Sequence, residues 1–409
     1  MVSAVWCYQK YERNVGVKAD NIINPNKKTI FRFVMAGVGV VLIIIIATVL
    51  LRPEEEHTNR SRTQNGIMVS QGDIANNHIK RDYSDNFTID ADITAPFNGN
   101  AKILYAKRAV PDEKKLVSLF MNGKRPKRQV ASYDSNFVSY IEGEAFITIS
   151  LEDGRVVASS KKISQIALPT ENLTTKYDSW KYIDMSPNYN TVYHVENLDF
   201  MKREDAADCA YSVLKQLHIS ASREDVEIYA IDCETMQAYQ DNVKKEDPDS
   251  VVNYDIKDKF DKDDEFYIVC FTAIQDQIPI THALYYLWKS EDKVMLGSNI
   301  KMYVSKKGVF FLDVDGLYTV QGTAETPEQF LNVQEAADSA FKAYDSVITS
   351  DKATVDEIRF EYAPISYNQK FNEAKLTPVW TFHLNKETVN IGMTEEVILI
   401  NAVTGECIN

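Results

Sequence analysis

The chain has 409 residues and a formal net charge of −14 at pH 7; 44% of its residues are hydrophobic and 25% are charged. This length accommodates two or three domains with hydrophobic cores of their own. A composition with only 15 Gly and 12 Pro argues against a fibrous or low-complexity chain. The acidic balance disfavours nucleic acid as a partner, because the phosphate backbone would be repelled.

One segment near the start, 33–51, differs sharply from this average. It reads FVMAGVGVVLIIIIATVLL and contains no charged residue. As an α-helix it would be about 28 Å long, which matches the hydrocarbon core of a bilayer. A buried core helix and a cleaved signal peptide are the alternatives, but a signal peptide would start nearer Met1, and the segment ends in a poor cleavage site. We predict an uncleaved transmembrane helix.

The charges that flank this helix predict its orientation. Lys27, Lys28 and Arg32 lie just before it, whereas three consecutive glutamates follow it closely. Basic residues concentrate on the cytoplasmic side of membrane helices. We therefore predict a single-pass protein of the cell membrane, with residues 1–32 as a cytoplasmic segment and residues 52–409 on the extracellular side.

The first part of this external region predicts a tether and a small domain. Residues 52–86 are polar without periodicity, which favours a flexible tether. FTIDADITA and KILYAKRAV then have the pattern of strands, and a helix is predicted from Pro111, as its first residue, to a stop at Gly123. FVSYIEGEAFITISL and RVVASSKKI follow as a hairpin around an Asp-Gly turn. We predict a small α+β domain over residues 87–165.

The second part contains an internal repeat. EDAADCAYSVLKQL (Glu204–Leu217) matches QEAADSAFKAYDSV (Gln334–Val347) at a constant offset along the chain, without a gap. Small residues at helical spacing allow a helix to pack closely on a sheet. Each helix precedes three segments with strand character, which predicts a duplicated helix–strand–strand–strand unit, with repeats over 195–320 and 326–409.

The later strands of the two repeats also correspond, and together with the helices they predict the fold class. Glu265–Ile274 corresponds to Leu376–Leu384, and Met302–Gly308 corresponds to Leu399–Gly405. The second helix has a start signal at Thr326, which is followed by Pro. The predicted fold class is α+β: one N-terminal transmembrane helix followed by tandem small modules, in each of which a helix packs on an antiparallel sheet.

The second unit also resembles a known kind of protein. A helix, an apolar strand containing PVW (within Leu376–Leu384) and then ILINAVTGE (within Val397–Glu406) are similar to PepSY-like modules of bacterial extracytoplasmic proteins. The wider arrangement over 195–409 resembles the YycH/YycI-type regulators that flank a sensor histidine kinase, and uncharacterised membrane-anchored proteins of gut Firmicutes. Members of these families act by binding other proteins, so the resemblance implies a regulatory role without catalysis.

The sequence contains no complete catalytic or metal-binding pattern. The six histidines lack the H-E-x-x-H spacing of a zinc protease, and His383 is predicted to be a core or edge residue of a strand. FLDVDG, Phe311–Gly316, resembles part of a calcium loop, but the first and twelfth ligand positions are Phe311 and Gly322, so a hairpin turn explains it better. Neither a nucleotide-binding loop nor a nucleophile motif occurs. The sequence predicts no catalytic, cofactor-binding or metal-ligating residue and no cofactor.

The cysteines leave two states open. Cys209, Cys233, Cys270 and Cys407 all lie in the part predicted to be outside the cell, where disulfides form. Four cysteines allow three pairings, and buried thiols are the alternative.

Three functions are compatible with these features. We favour a non-enzymatic, membrane-anchored extracytoplasmic regulatory or sensing protein that binds another envelope protein, such as the ectodomain of a sensor kinase. The second is an envelope module that binds peptide or cell wall, and the third is a hydrolase built from dispersed acidic residues. A deep acidic cleft would favour the hydrolase, whereas a flat apolar patch would favour the regulator. The partner and the oligomeric state stay open.

Overall fold

A computed structural model of the chain describes residues 77–94, 101–132, 135–152, 154–161, 195–246, 257–282, 284–286, 294–346, 351–367, 372–388 and 392–408. All of them belong to one compact unit, Thr63–Asn409. Within the described ranges, no helix combines the length and the apolar character needed to cross a membrane. The predicted cytoplasmic segment 1–32 and transmembrane helix 33–51 lie outside those ranges.

The described residues form four helices and two sheets. The helices are α1 Glu113–Phe120, α2 Arg203–Leu217, α3 Cys233–Glu246 and α4 Val333–Asp345. The first sheet contains β1 His78–Ser84, β2 Phe87–Thr94, β3 Ile103–Ala109, β11 Leu284–Tyr286, β12 Val294–Leu296, β15 Leu317–Glu325, β16 Lys352–Ser366, β17 Glu373–Thr388 and β18 Gly392–Asn401. The second sheet contains β4 Gln129–Val130, β5 Phe137–Glu142, β6 Ala145–Ser150, β7 Arg155–Ser159, β8 Ala221–Ile231, β9 Phe266–Gln275, β10 Ile278–Pro279, β13 Asn299–Ser305 and β14 Gly308–Asp315.

The fold class is α+β, as predicted, and the sheets are mostly antiparallel. The first sheet runs β1-β2-β16-β17-β3-β15, with β18 also paired to β17 and with β11 and β12 joined to β16. Its β2–β16 contact is parallel. The second sheet runs β10-β9-β13-β14-β7-β6-β5-β4, with β8 also paired to β9. One cluster of buried apolar side chains includes residues of both sheets and of α1, α2 and α4, so the sheets share a core.

Helices α2 and α4 occupy similar positions in the chain topology. After α2, strands β8, β9 and β13 are consecutive antiparallel neighbours; after α4, β16, β17 and β18 are too. Both helices pack on the strands that follow them, with buried Ala206 and Ala210 matched by Ala336 and Ala340. Short side chains at these positions allow the helix backbone to approach the sheet.

The register of the strands shifts one predicted correspondence by one residue. Ile228 pairs with Val269, which pairs with Met302 on its other side. In the other group, Ile358 pairs with Phe382, which pairs with Ile398. Met302 therefore corresponds to Ile398 and not to Leu399, because the stretch from Met302 to Gly308 is one residue shorter than the stretch from Ile398 to Gly405, so alignment on the glycines shifts the strands.

Helix α3 corrects the predicted helix–strand–strand–strand order of the first unit. It lies between β8 and β9, where no helix was predicted. Its start is fixed by Asp232, whose carboxylate accepts a hydrogen bond from the backbone N–H of Thr235 at 2.6 Å. An Asp at this position satisfies an N–H group that the helix itself leaves without a partner.

The predicted tether and the first domain are also revised by the pairing. Residues 78–84, at the end of the predicted tether 52–86, form β1, because Ile79 is buried and the strand pairs with β2. The strands of segment 87–165 are divided between the sheets: β2 and β3 pair with β16 and β17, whereas β7 pairs with β14. This segment therefore shares both sheets with the predicted repeats.

Two predicted helix starts are wrong. The first helix begins after Asp112, which accepts a hydrogen bond from the N–H of Lys115, so Pro111 precedes the cap. The second begins after Asn332 and not after Thr326: Asn332 and Glu335 each accept a hydrogen bond from the other's backbone N–H. This reciprocal capping box satisfies two N–H groups, which a Thr-Pro pair farther upstream could not do.

The predicted hairpin at FLDVDG is wrong as well. Gly316 joins β14 to β15, which lie in different sheets. It has φ +71°, and a Cβ atom there would lie 2.0 Å from the carbonyl oxygen of Gly297. The glycine therefore permits the chain to cross between sheets at a position too crowded for any side chain.

Candidate functional site

A buried ionic cluster joins the two sheets and is centred on Arg359 of β16. Arg359 is 3% exposed, and its guanidinium forms ion pairs with Asp225, with Glu361 at 3.0 Å and with Glu357 at 3.7 Å. Asp225 belongs to β8 of the second sheet, whereas the two glutamates belong to β16. One side chain thus links strands that are far apart in sequence.

Hydroxyl and imidazole groups extend the cluster. The Thr272 hydroxyl donates to Asp225 Oδ2 at 2.5 Å, and the Thr381 hydroxyl donates to Glu361 Oε2 at 2.9 Å. His282 Nε2 lies 3.1 Å from Thr272 Oγ1. Polar side chains from both sheets therefore satisfy one another, as burial requires.

The carboxylates keep Arg359 charged. Burial alone would lower the pKa of its guanidinium, but Glu361, Asp225 and Glu357 outweigh burial and raise that pKa above its ordinary value. Asp225 is the carboxylate that comes from the other sheet, whereas Glu357 and Glu361 flank Arg359 on its own strand. The ion pair between Arg359 and Asp225 joins the sheets, so we assign the cluster a structural role.

The cleft has a volume of about 310 Å³ and lies where elements of both sheets meet. It is lined by the turn from β3 to α1 (109–112), the connection from α2 to β8 (217–220), the end of β9 (273–275), Ile280 and the start of β15 (317–319). Most of these side chains are apolar. A cleft of this size is at the lower end of ligand pockets and suits one long side chain.

A minority of the residues that line the cleft have polar side chains: Asp112, His218, Ser220, Gln275, Tyr318 and Thr319. Asp112 supplies the carboxylate and His218 an imidazole, and both residues are exposed. Burial raises the pKa of Tyr318 to about 12, so its hydroxyl is neutral at physiological pH. Nearby, the buried Arg108 donates to Asp315 Oδ1 at 2.9 Å, which neutralises the cation that lies next to the Tyr318 ring.

The acidic residues of the FLDVDG segment have structural partners. Asp313 accepts a hydrogen bond from Arg155 at 3.1 Å, and Asp315 pairs with Arg108, so FLDVDG is not arranged as a calcium loop. Among the described side chains, no group of three or more His, Cys, Asp or Glu is arranged to hold a metal ion.

The structure shows where His383 lies and in which state the four described cysteines are. His383 lies in β17, which is paired on both sides, and is half-buried. Cys209, Cys233, Cys270 and Cys407 are present as thiols, and the part of the chain that the structure describes has no disulfide between them. Of the two states that the sequence left open, the structure has the thiols.

The ionic cluster and the cleft were missed at the level of sequence. The sequence does carry a signal for the cluster. Glu357, Arg359 and Glu361 lie at every second position of β16 and so share one face of the strand, while the residues between them are apolar. A strand with charged residues at every second position and large apolar residues between them predicts either a solvated face or a paired polar face. No comparable signal marks the cleft, because its walls come from distant parts of the chain.

Comparison with known proteins shows the fold alone. No protein-family model matches the chain, and no curated protein matches it. Among solved structures, the chain is similar to the crystal structure of an uncharacterized protein from Eubacterium rectale ATCC 33656, with a TM-score of 0.60 and 18% sequence identity. The match covers 81% of this chain and 93% of that chain. The α+β architecture described above is thus shared with a protein determined by crystallography.

Proposed function

We propose that the chain is a non-enzymatic, membrane-anchored extracytoplasmic regulatory protein that binds another envelope protein, with a sensor-kinase ectodomain as the favoured partner. Segment 33–51 anchors it in the lipid bilayer, and tandem α+β modules over 195–320 and 326–409 lie outside the cell. The resemblance of Leu376–Leu384 and Val397–Glu406 to PepSY-like modules supports this proposal.

The tandem arrangement has support from the topology. Each of α2 and α4 is followed by three strands that pair as antiparallel neighbours, β8-β9-β13 after α2 and β16-β17-β18 after α4, although α3 and β10 to β12 interrupt the first group in sequence. The two helices also bury alanines at matching positions of the repeat, Ala206 and Ala210 in α2 and Ala336 and Ala340 in α4. A duplicated module explains both features more simply than two independent origins.

The observation that carries the proposal is the character of the cleft. Its walls are mostly apolar, and among the described side chains that line it Asp112 is the one carboxylate. Hydrolysis of a glycosidic bond requires two carboxyl groups on opposite sides of the substrate. The three carboxylates around Arg359 are held by that arginine. The cleft therefore suits recognition better than hydrolysis.

A second candidate function is an envelope module that binds peptide without a regulatory partner. The volume of the cleft, about 310 Å³, accommodates little more than one side chain. It therefore favours a peptide over a bulky cell-wall glycan, and its position at the start of β15 suits an extended peptide. Both candidates use the same surface and differ in whether the bound segment belongs to a membrane protein.

The test is crosslinking in native membranes. The full-length chain would be crosslinked mildly and purified, and the captured proteins would be quantified by mass spectrometry. A chain that ends at residue 76 serves as the control, because it keeps segment 33–51 and lacks all of the described residues. We expect one envelope protein to be enriched with the full-length chain and not with the control chain. Equal capture by both chains, or capture by neither, would contradict the proposal.

A further inference from the structure

We propose that the edge of β15 opposite β3, which no strand of the described residues covers, and the cleft at the start of β15 together bind an extended segment of the partner protein, with a lysine or arginine side chain of that segment inside the cleft. This inference rests on the proposed function, since it names the part of the partner that is recognised. The edge strand, the walls of the cleft and its charge each support it.

Strand β15 has the properties of a strand that accepts another. Within the described residues it pairs with β3 and with no second strand. Thr319, Gln321, Thr323 and Glu325 are exposed, and Glu325 is the one charged residue of the strand. An edge strand with few charges is a template for main-chain pairing with another chain.

The edge is only partly protected by its own side chains. The Gln321 side-chain amide donates to the carbonyl oxygen of Thr319 at 3.1 Å, so a local amide satisfies this acceptor. The ladder with β3 is irregular between Val320 and Gly322. An incoming strand can replace the Gln321 amide with a backbone N–H at no loss of hydrogen bonds.

The cleft provides the specificity for such a strand. Leu317, Tyr318 and Thr319 belong both to β15 and to the wall of the cleft, so a segment paired along β15 has one end there. Val110, Leu217 and Ile219 give the cleft apolar walls. These walls suit the methylene groups of a long side chain, which can pack on apolar surface while its charged end stays at the rim.

The charge of the cleft selects a basic side chain. Asp112 is exposed and is the acidic residue among the described residues of the lining. Arg108, the nearby buried cation, is already paired with Asp315. The whole chain carries a net charge of −14, so a cationic segment is also attracted from a distance. A lysine or arginine complements the cleft, whereas a glutamate would be repelled.

The first experiment selects peptides without assuming a partner. A displayed library of random nonapeptides would be selected on the full-length chain. We expect the enriched sequences to share a lysine or arginine at one position, next to residues that favour extended conformation. Enrichment of acidic or uncharged sequences, or no enrichment at all, would overturn the proposal.

Matched variants then locate the charge. Asp112→Asn removes the carboxylate but keeps the cap of α1, because Asn caps helices as well as Asp does. We expect it to weaken binding of the selected peptide about twofold to fivefold, the range expected for loss of one ion pair at an exposed carboxylate. Asp232→Asn makes the same change at the cap of α3, outside the cleft, and should leave affinity unchanged. Equal effects of both variants would contradict the site.

A pair of modified peptides tests strand addition. N-methylation of alternate residues blocks one hydrogen-bonding edge of an extended peptide and leaves the other edge intact. One set of positions should abolish binding and the other set should preserve it. Hydrogen exchange of the full chain should then slow within residues 317–325 when the active peptide binds. Loss of binding with both sets, or with neither, would overturn strand addition.

The outcomes separate this inference from the proposed function. If membrane crosslinking captures an envelope protein equally with the Asp112→Asn chain, the regulatory function stands and the peptide site is wrong. If the peptide binds as described but no envelope protein is captured, the site stands and the regulatory function is wrong.

Discussion

Arg359 shows how a single buried charge can determine the relation between two sheets. The side chain is buried and forms an ion pair with Asp225 from the other sheet. Burying a charge is costly, and the cost is offset only when every charged group has partners. Removing the cation therefore harms the fold more than removing an exposed one.

The variant Arg359→Met tests this role. It keeps much of the volume but leaves Glu361 buried without its cation, so we expect a loss of about 3–5 kcal/mol in the free energy of unfolding, measured by urea denaturation. Arg223→Met removes an exposed arginine that pairs with Asp208 and should cost less than about 1 kcal/mol. Similar losses for the two variants would show that the cluster does not join the sheets.

His78 gives a residue-scale prediction about pH. Hydrogen bonds to Asp92 and then Asp90 raise the pKa of its imidazole above the ordinary value of 6.5. Because the folded-state pKa is raised, the stabilisation is fully present below the unfolded-state pKa and is lost as the pH rises through the folded-state pKa. An NMR titration of His78 should show the raised pKa, and Asp92→Asn should lower it. A midpoint at or below 6.5 in the unmodified chain would contradict the contacts.

Among the secondary-structure elements, the local residue pattern predicts strands better than it predicts the turns and helix starts that connect them. FTIDADITA and KILYAKRAV form β2 and β3 as expected, because alternation reports a half-buried strand directly. The Asp-Gly pattern at Gly316 predicts a hairpin, but the chain crosses between sheets there, and a local pattern cannot distinguish the two. The start of α4 was misplaced because Asn332 and Glu335 compete with Thr326 as start signals, and the capping geometry decides between them.

Replacement of Gly316 tests the crossing between sheets. In Gly316→Ala the new Cβ atom would meet the carbonyl oxygen of Gly297 at 2.0 Å, so we expect a loss of roughly 3 kcal/mol or more from combined clash and backbone strain. Gly143→Ala is the matched control: it also has positive φ but has open space around a Cβ atom, and should cost about 1–2 kcal/mol. Equal unfolding midpoints for the two variants would refute the crowding at Gly316.

For the whole molecule, the pairing between strands that are distant in the chain could not be predicted from the sequence. The helix repeat is visible in the sequence because each of the two helices carries its own pattern of small residues. The parallel pairing of β2 with β16 leaves no mark in either strand, since alternation of apolar and polar residues suits an antiparallel pairing equally well. The cleft depends on such pairings, so the surface on which the proposed function rests could not be found before the fold was known.

If an envelope protein adds a strand at β15, a photoreactive amino acid at the exposed Thr323 of the full-length chain should crosslink to that protein in native membranes. We expect one major adduct, weakened by Asp112→Asn, and no such adduct from the exposed Glu144 in the β5–β6 turn. Adducts of equal yield from Thr323 and Glu144, or none from Thr323, would rule out strand addition at β15.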